Sequence, residues 1–179
     1  AEALSHEVGH TLGLNHDGTL TGCGPGTKMA CSYYPGHGDW APLMGSPYSK
    51  GVTQWSRGEY ASANMYEDDL KAMVYGGVPL LADDYGNAAS PNALGDVSSV
   101  SRVRQGVIGT VSDIDEFSFS TSTTRRTTVN VTTAAVAPDL DVRVELRNAA
   151  GALVAVSDPP STGTTAVTPR GMGAQISME

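Results

Sequence analysis

Between His6 and Asp17 the chain reads HEVGHTLGLNHD, and no other stretch restricts its fold so tightly. Imidazoles at positions i, i+4 and i+10 meet at one point if the first two share a helix face and the chain then turns back. A helix over 1–12 provides that face. Successive residues rotate by about 100°, so His6 and His10 lie one above the other. Leu4, Val8 and Leu12 fall roughly opposite and are expected to bury in a core. Gly13 provides the turn, since a glycine just past the last helical turn takes the left-handed conformation with no Cβ penalty. His16 is then expected to return to the same point. Three neutral nitrogen donors with a fourth tetrahedral position left open form the ligand set of a catalytic Zn2+ site. Glu7 follows the first of them directly. Its carboxylate is expected at the edge of the coordination sphere, where it can take a proton from water and return one to a leaving group.

These residues are similar to the long metzincin signature H-E-x-x-H-x-x-G-x-x-H. Asp17, after the third histidine, resembles the reprolysin (adamalysin-like) branch. The resemblance implies a secreted zinc endopeptidase acting on proteins or peptides. His6, His10 and His16 would be its metal ligands, Glu7 its general base, and Gly13 and Asp17 structural residues. It also implies a methionine-containing turn beneath the metal, for which WAPLMGSPY, Trp40 to Tyr48, is the candidate with Met44 at its centre. Astacin- and serralysin-like members place a metal-contacting tyrosine two residues after that methionine. Ser46 stands there instead, which argues against those branches, and Tyr48 is not expected as a ligand.

With 179 residues, 40% of them hydrophobic and 17% charged, the chain has room for one large domain or two small ones with modest cores. Its net charge of −8 is shared evenly. Four Lys/Arg face eight Asp/Glu up to Leu80, and seven face eleven beyond it. The absence of any basic run argues against nucleic acid or an anionic membrane surface as partner. No segment is long and apolar enough for a membrane span. The chain opens inside the histidine-bearing helix. A secretion signal, a pro-segment and the sheet that forms the upper rim of a metzincin cleft are therefore expected upstream, and this segment is not expected to be active by itself.

A glycine-rich loop, Gly18 to Gly38, holds both cysteines, Cys23 and Cys31. A bridge between them would give order that so few apolar residues cannot; the alternative is two free thiols, and the oxidising compartment implied by secretion favours the bridge. His37 and Asp39 are read as loop residues rather than further ligands. Ser56 to Glu59, S-R-G-E, has the form of a capping box. It predicts a second helix from about Arg57, with Tyr60, Met65, Leu70, Met73 and Val74 on its apolar side. Gly76, Gly77 and Pro79 break that pattern and set the expected domain division at 1–80 and 81–179.

Beyond Leu81, lysine disappears and alternation at period two replaces the helical spacing. Leu140 to Arg147, LDVRVELR, places Leu140, Val142, Val144 and Leu146 on one face of a strand. Phe117 with Phe119, and Val129 with Val131, alternate in the same way. Asn148 to Gly151 marks a turn. ADDYGN, SDIDEFSF and PDLDVRVELRNAAGALVAVSD together resemble the bacterial pre-peptidase C-terminal domain, which implies an antiparallel β-sandwich, here incomplete at QISME. The expected fold class is thus α+β: the C-terminal part of a metzincin catalytic domain followed by a sandwich, cut short at both ends. Asp113, Asp115, Asp139 and Asp141 offer hard oxygen donors for Ca2+ if one end of the sandwich gathers them, or are solvated turn carboxylates if it does not. The other functional class to set beside a peptidase is a secreted binding or adhesion protein with a vestigial peptidase-like part.

Overall fold

The computed structural model describes residues 2–21, 31–86, 92–136, 138–160, 162–163 and 169–179. The described residues mix short helices with short strands, an α+β composition in broad terms. Helix α1 spans Glu2–Thr11 and α2 spans Asp69–Tyr75. The strands are β1 (Trp40–Pro42), β2 (Val52–Gln54), β3 (Asn92–Asp96), β4 (Phe117–Ser120), β5 (Thr127–Val131), β6 (Val144–Arg147), β7 (Leu153–Ser157), β8 (Thr162–Gly163), β9 (Pro169–Arg170) and β10 (Ala174–Met178). They associate two by two: β1 with β2 and β3 with β4 in parallel, β6 with β7 and β8 with β9 antiparallel, and β5 beside β10.

By compactness the chain divides into two units. One comprises Ala1–Pro79 with Asn130–Ala174, the other Leu80–Val129 with Gln175–Glu179. The chain first passes between them after Pro79, beside the Gly76–Pro79 break, and the first unit then takes back Asn130–Ala174. Within that unit the side chain of Gln54 donates to the Asp139 carbonyl.

The core of the first unit is built from Leu14, Met44 and Met73, with Leu12, Trp55, Leu70 and Ala72 packed around them. Of the expected face of helix α1 only Leu12 meets this core. Leu4 and Val8 are 72% and 44% exposed, whereas His6 and Gly9 are the buried positions of the helix. The reason is close approach. A Cβ on Gly9 would lie 2.6 Å from Met44 Sδ and 3.2 Å from both Leu14 and Trp55, so only a residue without one lets the helix backbone settle on the core.

The second helix also departs from its expected start. Residues 57–64 form turns, with Gly58 at φ +75° and Ser62 at φ 62°, outside the right-handed helical region. Glu59 folds back onto the Arg57 amide at 2.6 Å instead of closing a capping box, and Ser56 is engaged elsewhere, as described below. Helix α2 begins at Asp69, where the carboxylate of Asp68 caps it by accepting from the Lys71 amide at 3.1 Å. Met73 from the expected apolar side does reach the core, while Val74 stays exposed.

In the downstream half the alternating residues lie in ladders. Phe117 and Phe119 fall in β4, paired with Asn92 and Gly95, and Val129 and Val131 are half-buried in β5, as is Thr127. The LDVRVELR run forms a ladder only from Val144, opposite Ser157, to Arg147, opposite Leu153. Its turn is held by Asn148, whose side-chain oxygen accepts from the amides of Ala150 and Ala152, both at 3.0 Å. Val142, upstream of that ladder, is buried and bonded through its amide to Met172 O at 2.9 Å.

Candidate metal centre

Helix α1 ends as the sequence leads one to expect. Gly13 sits at φ +93°. The Gly13 amide donates to His10 O at 3.1 Å and the Leu14 amide to Gly9 O at 3.1 Å, the paired bonds of a Schellman motif. Leu14 then enters the core at 3% exposure. The reversal brings His16 back over the helix.

Three imidazoles converge there. The ring centroids of His6 and His10 are 4.9 Å apart, those of His6 and His16 5.3 Å, and those of His10 and His16 4.7 Å. One ligating atom from each lies within 4.8 Å of the others, and the Nε2 atoms of His10 and His16 are 2.9 Å apart. His6 is buried, and His10 and His16 are partly exposed, so the group opens to solvent on one side.

Backbone carbonyls fix the tautomers. His6 Nδ1 donates to Leu43 O at 2.8 Å and His10 Nδ1 to Leu14 O at 2.9 Å. A carbonyl oxygen only accepts, so both Nδ1 atoms carry protons and both Nε2 atoms present lone pairs. The contact between His10 and His16 then needs a proton on His16 Nε2, or a cation in that proton's place. Two nitrogens on one tetrahedral zinc at about 2.0–2.1 Å stand about 3.3 Å apart, which falls within the range the trio spans. Three imidazoles, two of them oriented by backbone carbonyls, therefore fit a divalent ion of borderline softness. Partial burial, then the neighbouring His10 and His6, hold His16 below the ordinary histidine range, and the nearby charge of Glu7 pulls the other way. A lowered value keeps His16 neutral and able to donate its lone pair. Glu7 itself is exposed.

Met44 lies against Gly9 of the histidine-bearing helix in a tight turn closed by Gly45 N to Pro42 O at 3.0 Å. It is fully buried. The same turn supplies the Leu43 carbonyl that holds His6, and the Met44 carbonyl accepts from the Asp17 amide at 2.9 Å. Asp17, 1% exposed, also accepts from Ser56 Oγ at 2.7 Å, while the Ser56 amide donates to Asp69 at 2.8 Å. Ser56 thus stands between two buried carboxylates. Burial raises Asp17, against the Ser56 bond, and pushes Asp69 up to about 7, with the charge of Asp17 adding to the effect.

Several neighbours of the site carry no signal in a motif. Tyr33 lies with its ring centroid 4.2 Å from that of His16 and 6.1 Å from that of His6. Ser56 and Asp69 form the support under Asp17, and Gly9 is the helix contact; a glycine inside an otherwise sound helix was the one cue available, since it costs about 1 kcal/mol relative to alanine unless packing needs it. Other sequence candidates lie apart from the trio. His37 interacts with the Tyr34 hydroxyl at 3.1 Å and packs on Trp40, and Tyr48 is 61% exposed. Cys31 is not a free thiol; Cys23, its expected partner, lies outside the described residues.

A second acidic group lies in the other unit, where Asp83, Asp84 and Asp115 place carboxylate oxygens within 4.8 Å of one another. Asp113 and Asp115 each keep one buried oxygen without a hydrogen-bond partner. Burial, then the charges of Asp84, Asp113 and Asp83, raise Asp115. Of the four aspartates expected together, Asp139 and Asp141 belong to the first unit instead. Among the described residues no helix is long and apolar enough to cross a membrane.

No protein-family model, no curated protein and no solved structure matches the chain.

Proposed function

We propose that this chain carries the metal-binding part of a secreted, zinc-dependent endopeptidase of the metzincin type, reprolysin-like, followed by a pre-peptidase C-terminal-like sandwich. The observation that carries the reading is the convergence of His6, His10 and His16, with the first two rings turned by Leu43 O and Leu14 O so that their Nε2 atoms carry the lone pairs. A site built only for packing has no need of three converging imidazole nitrogens. Zinc bound there supplies a Lewis acid that polarises a substrate carbonyl and makes water acidic enough to be a nucleophile near neutral pH.

The chain's own residues supply the rest. His6, His10 and His16 hold the ion through neutral nitrogens and leave one side of the group toward solvent. Glu7, exposed beside His6, takes the proton from the attacking water and delivers one to the departing amine. Met44 and Gly9 set the depth of the floor, and Asp17 ties the residue after the last ligand to that floor through Met44 O. The substrate is a protein or peptide, and the sandwich serves secretion or attachment.

The test is casein hydrolysis by the full-length protein with and without a chelator, together with metal analysis. The expected result is zinc in the active preparation, loss of cleavage on chelation and recovery on adding zinc back. Cleavage indifferent to the chelator would overturn the proposal.

A further inference from the structure

His6 and His10 are each steered by a backbone carbonyl. For His16, the group that packs on it from outside the trio is the ring of Tyr33, 4.2 Å away at an interplanar angle of 43°. The same ring lies 6.1 Å from His6 at 28°. It therefore borders two of the three imidazoles.

Tyr33 stands between two anchored residues. On one side the Cys31 carbonyl accepts from the Thr19 amide at 3.0 Å and from Asn64 Nδ2 at 3.1 Å. On the other, the Tyr34 amide donates to Asp17 O at 2.6 Å and the Tyr34 carbonyl accepts from the Ser46 amide at 2.9 Å. The Tyr34 ring is stacked on that of Tyr60 at 4.1 Å and 6°, and the Tyr60 hydroxyl donates to Gly18 O at 2.7 Å. These ties run to Asp17 and Gly18, just after the last ligand, and to Ser46, just after the Met44 turn. The Tyr33 ring is thus presented by fixed backbone.

His16 needs such a wall. It lies beyond the helix end, partly exposed, where an unrestrained imidazole has other staggered rotamers open to it. Resting on the zinc reading above, we infer that Tyr33 is a positioning residue whose ring holds His16 in the orientation that completes the three-nitrogen ligand set. The work is done by the ring face and edge against the imidazole, and the hydroxyl is not required.

The experiment uses the full chain and reads metal binding rather than turnover. Zinc affinity is measured by competition with a chromophoric chelator, and the site is filled with Co2+ for its visible absorption spectrum. Groups that orient a ligand contribute about 10–100-fold to metal affinity. Tyr33→Leu should therefore bind zinc at least about tenfold more weakly and alter the cobalt bands, with unchanged far-ultraviolet circular dichroism. Tyr33→Phe should restore both. A Leu variant with wild-type affinity and spectrum would overturn the inference, and so would a Phe variant as weak as Leu. If the Leu variant does not fold, the zinc-loaded wild type still decides: nuclear Overhauser contacts between the Tyr33 ring and the His16 imidazole are expected, and their absence overturns it. A wild-type chain that binds no zinc would instead remove the zinc reading itself, a result distinct from any failure of the variants.

Discussion

Glu7 and Asp69 carry carboxyls in opposite settings, and each gives a separate test. Glu7 is exposed beside the buried His6. Replacing it by glutamine removes the proposed base and leaves all three histidines in place. Glu7→Gln should keep its zinc and lose about 10²–10⁴ in turnover, whereas His10→Ala should lose the metal as well; metal analysis beside peptide hydrolysis separates the two. Asp69 is 2% exposed and is pushed up to about 7 from 3.8. The folded chain therefore holds that proton more tightly than the unfolded one. Its contribution to stability is complete below about pH 4 and lost as pH rises through about 7. Asp69→Asn keeps an oxygen for the Ser56 amide and removes the titration, so the variant should gain on the wild type between about pH 4 and about pH 7 in denaturant midpoint. A pH-independent difference would contradict that assignment. At this scale the histidines were legible because their spacing alone decides which residues meet. Tyr33, Ser56 and Asp69 were not, since their roles depend on contacts with residues 13 to 39 positions away, which no local pattern encodes.

At the level of elements, helix α1 and its stop could be read directly, because Gly13 is a local steric requirement. The geometry fixes the consequence of changing it. At φ +93° an alanine costs about 1–2 kcal/mol, and the strain falls on the turn that returns His16. Gly13→Ala should lower the unfolding midpoint and weaken zinc binding together; a variant that loses stability and keeps full zinc affinity would show that the turn and the site are uncoupled. The apolar stripe misled for a physical reason. Leu4, Val8 and Leu12 share a face, yet the core received Gly9 and Leu12, because Met44 and Trp55 approach the helix backbone closer than a side chain permits. Ser56 misled in a similar way. A serine three residues before a glutamate satisfies a capping box on paper, but two buried carboxylates compete for that serine's hydroxyl and amide, and α2 is capped by Asp68 instead. The β6–β7 hairpin was legible because strand alternation and the Asn148 turn agree.

For the whole molecule, composition announced a change of texture near Leu81, and the compact units divide first after Pro79. Periodicity could not reveal that Asn130–Ala174 clusters with Ala1–Pro79, since long-range association leaves no trace in local spacing. A protein shortened at Pro79 keeps all three histidines of the proposed zinc site, which precede Asp17, and loses part of the unit that carries them. It should still take up zinc and unfold at a lower temperature than the full-length form, as thermal scans of the two zinc-loaded proteins will show. An unchanged midpoint would mean that Asn130–Ala174 contributes nothing to that unit. The account as a whole rests on three histidine nitrogens sharing one ion. Zinc-edge X-ray absorption on the loaded full-length protein tests this most directly. Three imidazole nitrogens at about 2.0–2.1 Å with one light-atom ligand completing the tetrahedron is the expected result; a sulfur ligand at about 2.3 Å, or fewer than three imidazoles, would contradict it.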